Sequence, residues 1–402
     1  MKTSALFLMV MLIGSSATFA FTTASAQIVF VPGDLDGDMI VSSDEMASAE
    51  QSHQDGGISS EQLEEIRHIH ENYPRTIVDS VDRNVTIYKP IERVITFGGY
   101  DAEMMYIMGD EEKIVGISDW LKDNDFRKLC LPSLLEKPAP GNAANPDYEM
   151  ILELDPDLVV CWHYYPEKLE EQLPDTITVV ALDFFDPRTF LEEARKFAYI
   201  LEREDRTENY IENFYSKYMD LIKDRTEGLS EEERPKVYWE RSKPYETFGS
   251  MPYITSLIEL CGGRNIFADT EFDIAMTDPE SVVKKNPDII IRYAPSKGPE
   301  TGYSIEDPAE AKALRDGLLA RPELSLVDAV KNERVYVLNM GLPLGVQGPV
   351  GAAYAAKIIQ PDLFEDLDPR AINQELLTEY LGSEFDVTEH GVFVYPPLEL
   401  TV

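Results

Sequence analysis

The sequence predicts an α/β protein with two similar lobes, and a repeated motif is the main observation behind that prediction. The motif occurs at 145–160 and again at 278–291. In each copy a polar residue and Pro precede a Glu, and a later Pro-Asp leads into an apolar run. Asn or Asp caps a helix, Pro suits its first turn, and a second Pro ends it. Each copy is therefore typical of a helix followed by a strand that is buried on both faces.

The order of elements before each copy supports the same duplication. The first lobe is predicted to begin with a strand at 93–97, a helix at 101–108 and a strand at 114–117. The second lobe repeats this order at 236–239, 253–260 and 265–267. Alternating strands and helices predict a parallel sheet with helices on both of its faces.

Between the lobes, the segment 187–228 has apolar residues at helical spacing and polar positions dense in Glu, Arg and Lys. We predict one long helix here, which would behave as a semi-rigid strut between the lobes. The chain then divides into six parts: a leader, an N-terminal module, the first lobe, the interlobe helix, the second lobe and a tail, at 1–26, 27–73, 74–186, 187–228, 229–368 and 369–402.

The N-terminus has the features of a secretory signal. Lys2 precedes an apolar stretch at 5–13, and small residues end in Ala24-Ser25-Ala26. We predict cleavage after Ala26 and a secreted, extracytoplasmic chain at the cell surface, because the apolar stretch is too short to span a bilayer.

The module after the leader resembles an EF-hand or dockerin-type calcium loop. Oxygen ligands would come from loop positions 1, 3, 5, 7, 9 and 12, which are Asp34, Asp36, Asp38, Ile40 (through its carbonyl), Ser42 and Glu45. The departure is Met39 at position 6, where Gly normally makes the sharp turn. Calcium is thus a possible cofactor, and an acidic solvated turn is the alternative.

Composition excludes several classes of function. The net charge of −38 argues against nucleic-acid binding, which needs clustered Lys and Arg. No nucleophile–base arrangement, phosphate loop or metal-cysteine spacing is evident, so we do not expect an enzyme. The three cysteines, Cys130, Cys161 and Cys261, are expected to be core thiols rather than a disulfide pair and one free thiol.

From about Thr76 to Tyr380 the chain resembles the solute-binding proteins of iron-siderophore, haem and vitamin B12 ABC importers. The resemblance rests on the two Glu…Pro-Asp copies and on a series of short segments in the same order. These are 93–95, 113–117, 262–266, 332–337 and 359–364. It implies two Rossmann-like lobes, a ligand cleft between them and a monomer that meets an ABC permease dimer.

The resemblance also implies a role for one Glu on each lobe. In such proteins these glutamates dock on Arg residues of the two permease subunits, and Glu149 and Glu280 occupy the matching positions. A pseudo-symmetric pair of carboxylates suits a two-fold symmetric basic partner. The alternative is that each Glu only favours its helix N-terminus through the helix dipole.

Ligands of open α/β sheets bind beyond the carboxyl ends of the strands, and the three tryptophans fall near such ends. The predicted ligand-binding residues are Tyr100, Trp120, Trp162, His163, Tyr164, Phe184, Trp239, Arg241 and Tyr293. Phe185 and Tyr245 are further candidates beside them. Aromatic walls suit a bulky ligand, Arg241 would pair with an anionic group, and His163 or a Tyr would ligate iron; core packing is the alternative for any one aromatic.

The sequence thus predicts the substrate-binding component of an ABC importer that captures a metal chelate or tetrapyrrole. Ferric siderophore is the first choice, with haem or a corrinoid such as cobalamin next, and iron enters only as part of the transported ligand. A calcium-dependent adhesion or scaffolding protein is the alternative.

Overall fold

The computed structural model describes residues 29–295 and 298–398. The predicted leader, residues 1–26, lies outside the described residues. The description therefore begins with the N-terminal module and ends in the C-terminal tail.

Two helices form the N-terminal module, α1 (Ser43–Gln54) and α2 (Ser60–Asn72). Ser42 and Ser59 cap them, and each makes a reciprocal capping box with the residue three positions on, Glu45 or Gln62. A two-stranded antiparallel hairpin follows, β1 (Arg75–Val78) and β2 (Asn84–Ile87).

The N-lobe is built on a four-stranded, fully parallel sheet in the order β4-β3-β7-β8. Its elements in chain order are β3 (Val94–Thr96), α3 (Tyr100–Met108), β4 (Ile114–Ile117), α4 (Asp125–Cys130), α5 (Pro132–Glu136), β5 (Gly141–Asn142), β6 (Asn145–Pro146), α6 (Tyr148–Leu154), β7 (Leu158–Cys161), α7 (Pro166–Glu170) and β8 (Thr178–Ala181). Every residue of β7 is buried, as expected for a central strand covered on both faces.

The connection between the lobes is helical but is not one continuous helix. Helix α8 (Phe190–Leu201) ends at Glu202, whose φ of 58° is left-handed. A second helical stretch then runs through α9 (Glu204–Tyr210), a π-helical segment (Ile211–Ser216) and α10 (Lys217–Thr226). Helix α9 packs on α3 of the N-lobe and α10 packs on α11 and α15 of the other lobe, so the bridging helix is shorter than predicted.

The C-lobe contains a seven-stranded mixed sheet in which β9, β13 and β14 are parallel neighbours. Its elements are β9 (Lys236–Glu240), β10 (Glu246–Phe248), α11 (Pro252–Leu260), β11 (Arg264–Asn265), β12 (Ile274–Met276), α12 (Pro279–Lys285), β13 (Ile289–Ala294), α13 (Ala309–Leu319), α14 (Asp328–Lys331), β14 (Val335–Asn339) and α15 (Gly348–Ile359). Strands β10 and β12 are antiparallel additions at one edge, which the expectation of a purely parallel sheet lacks.

The two copies of the sequence motif form matching structures. Helices α6 and α12 each have seven residues, an Asp N-cap, and a left-handed C-cap residue with φ of 45°, Asp155 or Asn286. In the first copy the cap is Asp147 rather than the expected Asn145, because Asn145 and Pro146 form β6. Glu149 and Glu280 consequently occupy the same second position of equivalent helices.

The C-terminal tail completes the C-lobe. It contains α16 (Pro369–Glu375), a π-helical turn (Leu376–Tyr380) and β15 (Val394–Tyr395), which pairs antiparallel with β14. Tyr380 packs against Tyr210 and Phe214 of the interlobe helix, with ring centroids 5.3 Å apart in both pairs. The tail therefore also covers the connection between the lobes.

All three cysteines are buried and free. They agree with the expectation of core thiols, and burial raises the pKa of Cys130 to about 12.

Candidate ligand cleft

The carboxyl ends of both parallel sheets lead into loops that face each other across the interlobe cleft. On the N-lobe these loops follow β3, β4, β7 and β8; on the C-lobe they follow β9, β13 and β14. Rings from the two lobes meet there: Phe185 of the N-lobe lies edge-on to Tyr253 of the C-lobe, with centroids 5.3 Å apart. This is the place where open α/β sheets hold ligands.

Tyr100 is positioned by the tight turn between β3 and α3. Gly99 has φ of 103°, and a Cβ there would lie 2.3 Å from Trp120 Cη2, so only glycine fits. The buried carboxylate of Asp101 accepts hydrogen bonds from the backbone N–H groups of Gly98 and Gly99, which fixes this turn. Burial raises the pKa of Asp101 to about 7.

Tyr100 also reaches the other lobe. A Cβ on Gly345 would come within 2.2 Å of the Tyr100 ring, so the two lobes touch closely at this point. The Tyr100 and Phe185 rings have centroids 6.4 Å apart. Tyr100, Phe185 and Tyr253 therefore form a continuous aromatic floor across the cleft.

Arg241 and two tyrosines line the C-lobe side. Burial raises the pKa of Tyr253 and of Tyr293, and the nearby Arg241 guanidinium opposes that rise. Arg241 lies 3.3 Å from Glu246 and its guanidinium is 5.1 Å from the Phe248 ring centroid. Its Nε is buried without a hydrogen-bond partner in the described part of the chain.

A cavity of about 120 Å³ lies between the lobes beside this floor. Its lining combines Tyr100, Trp120 and Phe126 with polar side chains, among them Glu103, Asp125, Arg127, Asn339 and Gln347. Glu103 and Arg127 form an ion pair at 2.7 Å with both side chains almost fully buried. Phe126 packs against Tyr303 of the C-lobe with centroids 5.1 Å apart, which closes one side of the cavity.

Trp162, His163 and Tyr164 follow β7 at the outer rim of the cleft. Trp162 lies 6.2 Å from Trp120, centroid to centroid, so these two tryptophans are neighbours. His163 Nδ1 is 3.2 Å from Asp183 Oδ2, and Asp183 Oδ1 accepts a hydrogen bond from the backbone N–H of Phe185. The Tyr164 ring lies tilted against His163 with centroids 3.9 Å apart, but Tyr164 is 74% exposed, so it lies on the outer surface rather than in the cleft.

Besides Tyr164, three more of the predicted aromatic residues are not in the cleft. Trp239 is 1% exposed because β9 continues through it to Glu240, which places its ring in the core between the sheet and its helices. Phe184 is 2% exposed and packs against Phe190 and Phe197. Tyr245 points away to Glu323, its hydroxyl 2.5 Å from that carboxylate.

The sequence analysis did not predict four residues that lie at the cleft: Tyr253, Glu103, Arg127 and Tyr303. The repeat would have identified Tyr253, because it begins α11 much as Tyr100 begins α3. Glu103 and Arg127 carry no such signal, since a charged pair on two short helices is usually a solvated surface feature.

Glu149 and Glu280 lie in the first turns of α6 and α12, and both are exposed. Within the described residues neither carboxylate has an assigned hydrogen-bond or ion-pair partner. Both are thus accessible to a partner protein.

The acidic loop of the N-terminal module brings Asp34, Asp36 and Asp38 together, with one oxygen from each within 4.8 Å of the others. Met39 takes φ of 68°, the left-handed conformation that glycine usually supplies at this position. Ile40 is exposed, and Ser42 and the backbone N–H of Leu35 donate to the Glu45 carboxylate. These hydrogen bonds lower the pKa of Glu45 to about 2.

Within 29–295 and 298–398, none of the helices combines the length and the apolar character needed to cross a membrane.

Comparison with known proteins gives a consistent result. The family model described as periplasmic binding protein matches residues 94–340. An uncharacterized ABC transporter substrate-binding lipoprotein, YvrC of Bacillus subtilis, is 27% identical over 310 residues, 74% of this chain and 88% of the relative. The molybdate-binding protein MolA of Haemophilus influenzae is 25% identical over 73% of this chain and 87% of its own length.

A vitamin B12-binding protein of Vibrio cholerae is 24% identical over 62% of this chain and 82% of the relative. Among solved structures, the TroA-like periplasmic binding protein FepB of Veillonella parvula aligns with a TM-score of 0.67 and 23% identity. That alignment covers 80% of this chain and 99% of the other, and it supports the two-lobed fold. These relatives are solute-binding proteins rather than enzymes.

Proposed function

The chain belongs to the periplasmic binding protein family, and on that premise we propose that it captures a metal chelate outside the cytoplasm and delivers it to an ABC permease. A ferric siderophore is the leading ligand, and haem or a corrinoid is the next. Iron would travel as part of this ligand and not as a resident cofactor.

The observation that carries this proposal is the aromatic floor shared by both lobes. Tyr100 and Phe185 of the N-lobe meet Tyr253 of the C-lobe, so a ligand bound there contacts both lobes at once. Flat aromatic surfaces with few polar groups suit a large rigid ligand such as a chelate ring system. The vitamin B12-binding relative supports this ligand class.

His163 offers a possible direct ligand to the metal. Asp183 lies against Nδ1, and this contact favours the tautomer whose Nε2 lone pair is free. A metal complex with an open coordination position would therefore find a nitrogen donor at the rim of the cleft. Replacing His163 by Ala should shift the visible absorption spectrum of a bound iron complex, whereas Asp183→Asn should weaken binding without abolishing it.

Docking on the permease is assigned to Glu149 and Glu280. Their equivalent positions on equivalent helices match a permease made of two similar subunits, and both carboxylates are exposed. The helix-dipole interpretation explains each Glu separately, but the pairing across lobes favours a two-fold partner.

The test is a titration of the protein lacking its predicted leader, followed by tryptophan fluorescence. Ferric siderophores, haem and cobalamin are added in turn, and Trp120 and Trp162 report binding because they lie at the cleft. Saturable quenching at submicromolar concentration by one class supports the proposal and names its ligand. The absence of any response would exclude ferric siderophores, haem and cobalamin as ligands.

A second candidate function is favoured by one observation only, the N-terminal module outside the matched range 94–340. We propose that its loop binds calcium through Asp34, Asp36, Asp38, Ile40, Ser42 and Glu45, and that the module serves calcium-dependent adhesion or scaffolding beside import. Calcium titration followed by calorimetry tests this, with Asp36→Ala as the variant expected to lose the signal.

A further inference from the structure

Among the described residues, three arginines on the helices and loops around the cleft each lie beside a carboxylate of the same lobe. Arg127 pairs with Glu103 at 2.7 Å, Arg188 donates from Nε to Asp186 at 2.9 Å, and Arg241 lies 3.3 Å from Glu246. An anionic ligand that approached any of the three guanidinium groups would therefore meet a neighbouring carboxylate of like charge.

The Arg127–Glu103 pair is the most consequential, because both residues line the interlobe cavity. Their side chains are only 4% and 2% exposed. An oxyanion that took Arg127 would leave the buried Glu103 carboxylate without its cation, and an uncompensated buried charge is strongly unfavourable. The cavity therefore resists an anion even though it contains an arginine.

A second carboxylate also makes the cavity unfavourable for an anion. Asp125 lines the same cavity, and its carboxylate accepts a hydrogen bond from the Ser304 hydroxyl across the cleft. Lys122 and Lys243 lie on the surrounding loops, but both are exposed, so water and salt screen their charges. The cavity lining itself thus holds two carboxylates and one guanidinium.

The aromatic residues of the cleft also favour a positively charged ligand over a negatively charged one. The Arg127 guanidinium lies 5.5 Å from the Trp120 ring centroid, and Arg241 lies 5.1 Å from that of Phe248. Aromatic faces attract cations through their quadrupole. Trp120, which lines the cavity, already makes such a contact with the protein's own Arg127.

We infer that the cargo is a neutral or cationic metal complex and that oxyanions and polyanionic chelates are excluded. This inference rests on the proposed function, because it defines the charge of the ligand held in the same cleft. It also separates this chain from its molybdate-binding relative, whose named ligand is an oxyanion.

The first experiment compares ferric complexes that differ in charge. Ferrioxamine B is a cationic hydroxamate complex, ferrichrome is a neutral one, ferric enterobactin is a polyanionic catecholate complex, and molybdate is a small oxyanion. Isothermal titration calorimetry should show that the cationic or neutral complex binds at least about tenfold more tightly than the polyanionic one, with no binding of molybdate. Submicromolar binding of molybdate or ferric enterobactin would overturn the inference and leave the importer function standing.

A second measurement does not depend on finding the cargo. Caesium and iodide ions quench exposed tryptophans, and Trp120 and Trp162 at the cleft are half-buried whereas Trp239 is 1% exposed. Each quenching constant is divided by that of free N-acetyltryptophanamide with the same ion, because iodide is intrinsically the more efficient quencher. We expect the normalised constant of the cleft tryptophans for caesium to be at least about twofold that for iodide at equal ionic strength.

A pair of variants distinguishes the effect of charge in the cleft from the effect of the protein's overall negative charge on quenching. Asp125→Lys should remove most of the preference for caesium, whereas Glu384→Lys makes the same change of charge at an exposed residue of the tail and should leave it in place. Equal effects of the two variants, or a larger normalised quenching constant for iodide in the unmodified protein, would contradict the inference. If none of the ferric complexes binds, the proposed ligand class fails, and the quenching result still decides the charge preference.

Discussion

Asp157 and Asp288 have the same structural role in the two lobes. Each follows a proline after a left-handed helix end, and each carboxylate accepts a backbone hydrogen bond at the start of the neighbouring strand. Asp157 Oδ2 is 3.0 Å from the nitrogens of Glu92 and Arg93, and Asp288 Oδ2 is 2.7 Å from the nitrogen of Lys236. The Pro-Asp of the repeated motif thus fixes where each parallel sheet begins.

This relationship predicts unequal losses of stability. Asp157→Ala removes an acceptor of two backbone N–H groups and should lower the free energy of unfolding by about 2–3 kcal/mol, and Asp288→Ala by about 1–2 kcal/mol. Urea denaturation measures both, with Asp175→Ala, an exposed residue, as the control. Equal losses at the two positions would contradict this account.

The docking role predicts a defect in transport without a defect in binding. Glu149→Lys or Glu280→Lys should lower ligand-stimulated ATPase activity of the reconstituted importer by about tenfold, because a like charge would face the basic permease surface. Ligand affinity should not change. Glu153→Lys, an exposed residue on the same helix as Glu149, is the matched control; equal inhibition by this variant would indicate a general charge effect instead.

The aromatic floor predicts which substitutions lower ligand affinity. Phe185→Ala and Tyr253→Ala should each weaken binding by about 10- to 100-fold, since each removes a ring that the proposed cargo would contact. Trp239→Phe should leave affinity unchanged and lower only the melting temperature, because Trp239 is 1% exposed in the C-lobe core. Calorimetry measures affinity for all three without using their fluorescence. A loss of binding in Trp239→Phe would place the ligand elsewhere.

Glu45 predicts a pH dependence of the N-terminal module. Its pKa is lowered from 4.5 to about 2 by hydrogen bonds from Leu35 and Ser42. The ionised carboxylate therefore stabilises the folded loop above pH 4.5, and this stabilisation is lost as the pH falls toward 2. Hydrogen exchange of α1 and α2 should rise over that window. Glu45→Gln should abolish the transition, whereas Glu71→Gln on the exposed side of α2 should preserve it.

The proposed calcium loop predicts a gain in calcium affinity when Met39 is replaced. Its left-handed backbone costs about 1 kcal/mol relative to glycine, so Met39→Gly should raise calcium affinity severalfold. Met39 also lines a cavity of about 320 Å³ between the module and the N-lobe, beside Ile87 and Ile91. The same variant should therefore lower the melting temperature of the whole protein. Unchanged affinity together with unchanged stability would mean that position 6 is unimportant.

The two α/β lobes, the equivalence of Glu149 and Glu280, and the positions of strands β3, β4, β7, β9 and β13 could be predicted from the sequence alone. These features depend on local chemistry. A proline after a capped helix, followed by Asp and an apolar run, has the same consequence wherever it occurs along the chain. Because the signal is local and appears twice, neither lobe needed the other to be recognised.

Only the tertiary structure decided which aromatic residues face the cleft. Trp239 and Trp120 both follow apolar runs, yet Trp239 lies inside β9 and is buried, whereas Trp120 lies past β4 and lines the interlobe cavity. Glu202 likewise divides the predicted helix, because a left-handed residue redirects the chain from α8 to α9 across the N-lobe. The face on which a side chain lies depends on where a strand ends and on what packs against it, and those contacts come from distant parts of the chain.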